Sequence, residues 1–235
     1  MAGYGNTWSN GKSVYMQLKQ DADGHDLDPT DPDNWTVPTP IYRNDASLLN
    51  GNKQLAATAS GGVGMSLDMT YFQDADGRSY YAWQQLGATY IATMDPKDPA
   101  HVTSSPVRIV TPEYAWNAAI AEGPNVTLRD GKLYLMFSGS GVGKTYTTGL
   151  AVADASGTDL TDPASWTVLN YPIQKSGPFN GEMQLGTGHG MWSEDEDGNQ
   201  IYVFHAYATK NLGSVNAAGR DMFVRRVHWA ADGMP

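Results

Sequence analysis

Three ionisable residues recur in this sequence at the same distance from a turn. Asp68, Glu122 and His189 each lie eight residues before the Asp of an Asp-Gly pair, and those pairs begin at Asp76, Asp130 and Asp197. Carboxyl and imidazole groups that converge can transfer protons to a substrate and shift one another's pKa. The spacing therefore predicts an acid–base site where the three side chains meet.

The elements that would position these residues are repeated β-hairpins. Runs of strand-forming residues flank each Asn-Gly or Asp-Gly turn. The turn glycines Gly11, Gly77, Gly131 and Gly198 follow one another at intervals of 66, 54 and 67 residues. Intervals of this length suit four-stranded propeller blades that carry loops, and the first strand of each blade lines the central channel. Equal offsets along equivalent strands should then bring side chains to a similar depth in that channel.

A second repeat supports the same architecture. Residues 30–37 match residues 161–168, and each copy contains Thr-Asp-Pro followed by Trp-Thr-Val. Both copies precede an apolar strand that contains Pro. We interpret them as outer hairpins of two blades.

Strand alternation gives a first orientation for Asp68. A strict two-residue period puts Ser66, Asp68 and Thr70 on one face of the strand and Met65, Leu67, Met69 and Tyr71 on the other. Asp68 is thus expected on the polar face.

Composition limits the classes of function. The chain has 235 residues, a formal net charge of −10, 26 Gly, 13 Pro and no Cys. We expect one all-β domain over residues 1–235, with no disulfide framework. The negative charge argues against a nucleic-acid backbone as partner, and no apolar run is long enough to span a membrane. A neutral ligand fits this balance better.

Several residues near the predicted site have both a functional and a structural interpretation. Trp83 and Trp116 could each form a platform for a sugar ring or be part of the core. Arg220 could contact a ligand or only neutralise charge. His189 lies between Gly188 and Gly190, which allow a backbone or a ligand to approach closely.

Two segments imitate binding motifs. Residues 138–145 resemble a nucleotide-binding P-loop, but the residues that follow favour a strand where that motif needs a helix. Residues 21–26 contain an Asp cluster that suggests calcium, yet Pro32 occupies the position where a helix-flanked calcium loop needs Glu. We interpret the first as a loop and the second as a solvated turn.

The motifs together resemble glycoside hydrolase family 43. They are the segment 66–72 with Asp76-Gly77 and residues 80–83, Glu122-Gly123-Pro124, residues 186–189, and Phe204-His205-Ala206. The resemblance covers roughly residues 5–235. It implies a five-bladed β-propeller that removes arabinofuranose or xylose from plant polysaccharides by inversion.

The resemblance also assigns roles. Glu122 matches the general acid, Asp68 the residue that tunes the pKa of that acid, and Arg220 a sugar-contacting residue. It implies that no cofactor is required and allows a structural calcium ion, with His189 near the ion or a water. It further implies a carbohydrate substrate, such as arabinan, arabinoxylan or derived oligosaccharides. An extracellular or cell-surface location in a bacterium is expected, although Met1-Ala2-Gly3-Tyr4 lacks the features of a signal peptide.

The sequence departs from the family at the general base. The family base lies on an early strand of the first blade, and no residue before Asp21 is acidic. Asp26 and Asp28 lie in a predicted outer turn, which does not suit that role. We therefore expect a domain that is N-terminally truncated relative to the family, with about four blades, without the family's first blade and without a general base.

Three functional hypotheses follow. The chain is a glycosidase of the arabinofuranosidase or xylosidase type, completed by a second protomer or a complementing chain. Alternatively, it is a carbohydrate-binding remnant without turnover. The third hypothesis is a propeller fragment with no function of its own.

Overall fold

The computed structural model describes residues 3–4, 12–49, 66–208 and 219–235. This part of the chain is all-β apart from short 3-10 turns at Pro32–Asn34, Ala115–Asn117 and Pro163–Ser165. The strands are β1 (Gly3–Tyr4), β2 (Lys12–Tyr15), β3 (Thr39–Pro40), β4 (Leu67–Gln73), β5 (Ser79–Gln85), β6 (Ala88–Asp95), β7 (Asp98–Val102), β8 (Val107–Val110), β9 (Ala121–Arg129), β10 (Lys132–Gly139), β11 (Thr147–Asp154), β12 (Thr167–Val168), β13 (Gly177–Phe179), β14 (Glu182–Glu194), β15 (Gln200–Tyr207) and β16 (Asp221–Arg226).

These strands form four antiparallel sheets. The first sheet contains β1–β3, the second β4–β8, the third β9–β12 and the fourth β13–β16. Strands β4 and β9 lie beside each other, as do β9 and β14, so the first long strands of the second, third and fourth sheets face a common centre. The prediction of a β-propeller with about four blades is confirmed for the described residues.

The predicted hairpins are also found. Asp76-Gly77, Asp130-Gly131 and Asp197-Gly198 lie in the turns that join β4 to β5, β9 to β10 and β14 to β15. All three glycines have positive φ, the conformation that such turns require. The first predicted turn, at Asn10-Gly11, lies outside the described residues.

The second sequence repeat folds into two similar 3-10 turns. Asp31 and Asp162 cap them through their side chains, which accept hydrogen bonds from the backbone N–H groups of Asp33 and Ala164. The indole of the following Trp donates to a backbone carbonyl six residues earlier in both copies. Local sequence alone specifies this motif, because all of its contacts lie within a few residues.

Three apolar clusters fill the spaces between neighbouring sheets. Ile41, Tyr81 and Trp83 belong to the cluster between the first and second sheets. A second cluster joins the second sheet to the third, and a third cluster joins the third sheet to the fourth. Packing of one sheet face on the next therefore fixes the relative positions of β4, β9 and β14.

Each of these three strands contains a bulge at the same point of its ladder. At each bulge, two residues of the strand lie opposite one residue of its neighbour, so the strand contains one extra residue. The bulges lie between Leu67 and Thr70 in β4, between Glu122 and Asn125 in β9, and between Gly188 and Met191 in β14. The strict alternation predicted for residues 65–71 is therefore wrong. Met69 and Phe72 are both 6% exposed, whereas Tyr71 is 43% exposed, because an extra residue reverses the faces of a strand.

The bulges also correct the equivalence inferred from turn spacing. Asp68, Gly123 and His189 occupy the bulge position with positive φ, so Glu122 lies one residue earlier than its two supposed counterparts. Counting eight residues back from each Asp-Gly pair was misleading because the loops differ in length. The loop between β9 and β10 contains residues 130–131 only, whereas the loops after β4 and β14 contain residues 74–78 and 195–199. The three side chains nevertheless meet.

Candidate active site

The centre of the site is a short hydrogen bond to Glu122. The hydroxyl of Tyr146 donates to Oε1 of Glu122 over 2.6 Å. Tyr146 is fully buried and Glu122 is partly buried. Burial raises the pKa of Glu122, the charge of Asp68 raises it further, and the Tyr146 hydrogen bond opposes the shift. A carboxyl group of this kind can remain protonated at a pH where an exposed Glu has ionised.

Asp68 reaches the same place from the neighbouring strand. Its Oδ2 atom accepts a hydrogen bond from the backbone N–H of Gly123 over 3.2 Å, and its Oδ1 atom lies 3.6 Å from Nε2 of His189. The bulge in β4 turns this side chain toward β9, as its positive φ of 56° shows. Asp68 therefore contacts both of the other strands that line the centre.

His189 connects Asp68 to Tyr146. Its Nδ1 atom lies 3.0 Å from the Tyr146 hydroxyl, and its Nε2 atom faces Asp68. Since the hydroxyl donates to Glu122, its oxygen is free to accept a hydrogen bond from an N–H group at Nδ1. A neutral ring would then direct a lone pair at the Asp68 carboxylate, so the geometry favours the imidazolium. The interaction with the Asp68 carboxylate accordingly raises the pKa of His189.

Glycines and one hydroxyl hold the His189 strand in place. The backbone N–H of His189 donates to Oγ of Ser138 over 2.6 Å. A Cβ atom on Gly188 would lie 2.4 Å from the Tyr146 ring, and one on Gly190 would lie 2.1 Å from the Tyr202 ring. The predicted close approach at these glycines is confirmed, and the groups that approach are aromatic rings.

Arg220 and His205 complete the cluster. Nη1 of Arg220 lies 2.9 Å from Nε2 of His205 and must donate to it. His205 is therefore neutral, and burial together with the charge of Arg220 lowers its pKa to about 4. The rings of His205 and Tyr146 stack with their centroids 5.6 Å apart. The structure thus brings Asp68, Glu122, His189 and Arg220 together.

The two tryptophans have different outcomes. Trp83 is 0% exposed, belongs to the core between the first two sheets and donates to Oε1 of Gln85. Its predicted role as a sugar platform is wrong, because a buried indole cannot present a face to a ligand. Trp116 is half-buried and stacks with Tyr114 and Phe137. Its role in substrate binding stays a prediction.

The P-loop-like segment lacks the loop-and-helix arrangement of a nucleotide site, and the Asp cluster forms a polar turn. The residues after the P-loop-like segment form β11, so no helix turns its N-terminus toward that loop. Asp21, Asp23 and His25 are exposed and lie close enough to share an ion. Oδ1 of Asp21, however, accepts the backbone N–H groups of Asp23 and His25, as in a solvated polar turn. Both nitrogens of His189 already face protein partners, which leaves a calcium ion bound there through water a prediction.

Asp26 and Asp28, which the sequence made unsuitable as a general base, lie in the connection between β2 and β3. Asp26 accepts a hydrogen bond from Gln20, and Asp28 accepts two from Thr30. Both are in exposed segments. This placement agrees with the prediction that they belong to an outer turn.

Sequence reasoning missed Tyr146 as a site residue and mentioned His205 only as part of a motif. Tyr146 follows an irregular loop and carries no motif of its own. The available signal was Gly188, since a glycine inside a strand indicates that another group approaches the backbone closely.

Comparison with known proteins gives a consistent result. The family model described as glycosyl hydrolases family 43 matches residues 52–235. An extracellular exo-α-(1→5)-L-arabinofuranosidase of Streptomyces avermitilis is 32% identical over 183 residues, which are 72% of this chain and 37% of that protein. The α-L-arabinofuranosidase 43 of Humicola insolens is 32% identical over 184 residues, with the same coverage. The chain thus spans little more than a third of the length of these relatives.

Solved structures show the same similarity. The crystal structure of α-L-arabinofuranosidase from Lactobacillus brevis has a TM-score of 0.69 and 26% sequence identity, and the match covers 92% of this chain and 67% of that one. An exo-1,5-α-L-arabinanase from a bovine ruminal metagenomic library shares the fold, with a TM-score of 0.61 at 18% identity over 96% of this chain and 68% of that one.

In the described part of the chain, no helix is both long and apolar enough to cross a membrane.

Proposed function

The chain belongs to glycosyl hydrolase family 43 and is arabinofuranosidase-like, and from this premise we propose that it acts on terminal arabinofuranosyl or xylosyl residues of plant polysaccharides and oligosaccharides. One observation carries the proposal. Glu122, the carboxyl group predicted to be the acid, lies at the centre of the blades with its pKa raised by burial and by Asp68. The relatives named as arabinofuranosidases favour arabinofuranose over xylose.

In the proposed reaction, Glu122 protonates the oxygen of the leaving group. Oε1 of Glu122 accepts from Tyr146, which leaves Oε2 to carry the proton. Asp68 keeps Glu122 protonated by its negative charge, because two neighbouring carboxyl groups resist ionising together. Arg220 provides a fixed cation beside the site that can donate to sugar hydroxyls.

Inversion needs a second carboxylate that activates water on the opposite face of the sugar. The two groups are typically about 6.5–9.5 Å apart in inverting enzymes. Asp68 is engaged by Gly123 and faces His189, so it suits a tuning role better than that of a base. We propose that the general base comes from outside this chain, from a second protomer or a complementing chain.

The relatives also guide the proposed location and the requirement for metal. Two arabinofuranosidases of Streptomyces carry the word extracellular in their names, and we propose an extracellular or cell-surface location for this chain. We further propose that catalysis needs no cofactor, with structural calcium as an optional addition.

Hydrolysis of nitrophenyl α-L-arabinofuranoside and nitrophenyl β-D-xyloside tests the proposal. We expect Glu122→Gln to reduce turnover by about 10²- to 10⁴-fold, the usual contribution of general acid catalysis. Glu113→Gln is the matched control, because Glu113 is exposed outside the cluster. Proton NMR of the first sugar released should show the inverted anomer.

A carbohydrate-binding remnant is the second candidate, favoured by the presence of only two carboxyl groups in the described cluster. It predicts that arabino-oligosaccharides bind equally well to the wild-type protein and to Glu122→Gln, without product formation. Absence of both binding and turnover would contradict both functions and leave the inert fragment.

A further inference from the structure

The hydroxyl of Tyr146 stands between two ionisable side chains from different blades. It lies 2.6 Å from Oε1 of Glu122 on β9 and 3.0 Å from Nδ1 of His189 on β14. His189 in turn faces Asp68 on β4. One continuous series of polar contacts therefore joins Asp68, His189, Tyr146 and Glu122 across three strands.

We infer that Tyr146 is a positioning residue for proton transfer, which holds one oxygen of Glu122 and couples that carboxyl group to His189. The inference rests on the proposed role of Glu122 as the acid. Because Tyr146 occupies Oε1, the proton that Glu122 delivers must reside on Oε2. The carboxyl group is thus fixed in rotation, with a single oxygen available to the leaving group.

Packing alone does not account for this residue. The Tyr146 ring fills a fully buried space against Gly188, and a Phe ring would fill the same space. The hydroxyl adds nothing to that contact, and a buried hydroxyl without partners would be costly. Both of its ionisable partners belong to the cluster around Glu122, so the hydroxyl acts on the acid and on the imidazole beside it.

The charges around Glu122 change its pKa in opposite directions. Asp68 from β4 raises the pKa of Glu122, whereas His189 from β14 and Arg220, which precedes β16, lower it. His205 on β15 is neutral because its pKa is lowered to about 4. The hydrogen bond that Tyr146 donates stabilises the Glu122 carboxylate, and the Tyr146 oxygen accepts a hydrogen bond that stabilises the protonated ring of His189.

Two titrations in one sample test the inference. The chain has only five glutamates, at positions 113, 122, 182, 194 and 196, and five histidines. NMR of protein labelled at the Glu carboxyl carbons and the His rings can follow each group, with Glu122→Gln and His189→Gln for assignment. The variant is Tyr146→Phe. The matched control is Tyr80→Phe, which removes another buried hydroxyl that donates to a carboxylate, Oδ2 of Asp74.

The expected result is a pair of opposite shifts. Tyr146→Phe should raise the titration midpoint of Glu122, because its carboxylate loses a donor, and lower that of His189, because its cation loses an acceptor. The control should move neither midpoint. Unchanged midpoints in Tyr146→Phe would overturn the inference, since a residue that only fills space would leave both titrations as they are.

Hydrolysis is the second readout and separates the inference from the proposed function. With nitrophenyl arabinofuranoside we expect kcat of Tyr146→Phe to fall about 10- to 100-fold, as the loss of a hydrogen bond to a charged group predicts. KM should change little. Opposite shifts without any hydrolysis by the wild-type protein would overturn the proposed function and retain the coupling of Glu122 to His189.

A second variant keeps the test decisive if Tyr146→Phe does not fold. His189→Gln removes the ring charge that lowers the pKa of Glu122. The Glu122 midpoint should then rise in His189→Gln, and a midpoint equal to that of the wild type would overturn the coupling.

Discussion

Glu122 is a carboxyl group whose protonation depends on residues from two other strands and from the segments that precede two more. Asp68, Tyr146, His189 and Arg220 all act on its pKa, and burial makes the largest contribution. The family resemblance named Asp68 as the residue that tunes this pKa, whereas in the structure burial of Glu122 has the larger effect. This order matters, because a substrate that closes the site would bury Glu122 further and favour the protonated acid.

The raised pKa of Glu122 predicts a pH-dependent stability. A carboxyl group with a pKa above its unfolded value contributes stability at low pH, and that contribution is lost as pH rises through the folded pKa. Glu122→Gln cannot ionise, so at pH 8 its melting temperature should exceed that of the wild type by roughly 2 °C. At pH 4 the two should be nearly equal. Thermal unfolding across pH 4–8 checks this.

The same measurement on Glu113→Gln serves as the control, since Glu113 is exposed and its substitution should give no pH-dependent difference. A Glu122→Gln advantage that is the same at all pH values would contradict an ionisation effect and indicate a packing change.

At the scale of elements, the three bulges are the devices that build the site. Each adds one residue with positive φ to the first long strand of a blade, and two of these residues are Asp68 and His189. A regular strand would direct successive side chains to opposite faces of the sheet. The extra residue redirects the side chain toward the neighbouring blade, which is why charged groups from separate sheets can meet.

Tyr146 can occupy its position only because residue 188 in β14 has no side chain. Gly188→Ala places a methyl group 2.4 Å from the Tyr146 ring, and we expect it to destabilise the fold by about 1–3 kcal/mol, as overpacking usually does. Turnover should fall with it because Tyr146 must move. Urea unfolding and the arabinofuranoside assay measure the two effects.

The control for this substitution is Gly177→Ala in β13 of the same sheet, where a Cβ atom would meet nothing within 4 Å. A Gly188→Ala protein as stable and as active as Gly177→Ala would show that the Tyr146 ring is not held as described.

At the scale of the molecule, equivalent residues in the sheets differ in exposure. The comparison uses the row of residues that pair across each sheet just after its bulge. In the first paired row after the bulge, the second and third strands of the second and third sheets contribute Ala82, Ile91, Met136 and Leu150, which are at most 1% exposed. The first-strand members of these rows, Thr70 and Asn125, are half-buried. The same row of the fourth sheet contains Met191, Val203 and Val224. Met191 is 49% exposed and Val224 is 52% exposed. A face that is covered in two blades is therefore open in the last one.

This open face is the surface that the predicted homo-oligomer would bury. If a second copy covers it, the molecular mass at micromolar concentration should be a multiple of 25.4 kDa, and Val224→Asp should restore the monomer, because burying an unpaired charge is costly. Val37→Asp is the control, as Val37 is 82% exposed on the first sheet. Sedimentation analysis measures the mass.

A wild-type monomer would contradict the homo-oligomer and leave the face for a complementing chain.

The organisation of residues 1–235 as one domain stays a prediction. The first sheet packs on the second, so a partial blade does precede the one that contains Asp68.

The sequence by itself determined the strands, the Asp-Gly turns, the repeated Asp-Pro-Trp motif and the residues of the family motif. Each of these depends on local backbone preferences or on contacts within a few residues. The tertiary structure decided which side chains meet and which are buried. Tyr146 contacts a residue 24 positions away and another 43 positions away, and Trp83 is core only because a neighbouring sheet covers it. Bulges and sheet packing decide which side chains meet and which are buried. Neither produces a periodic pattern in the sequence of one strand, so the sequence alone does not reveal them.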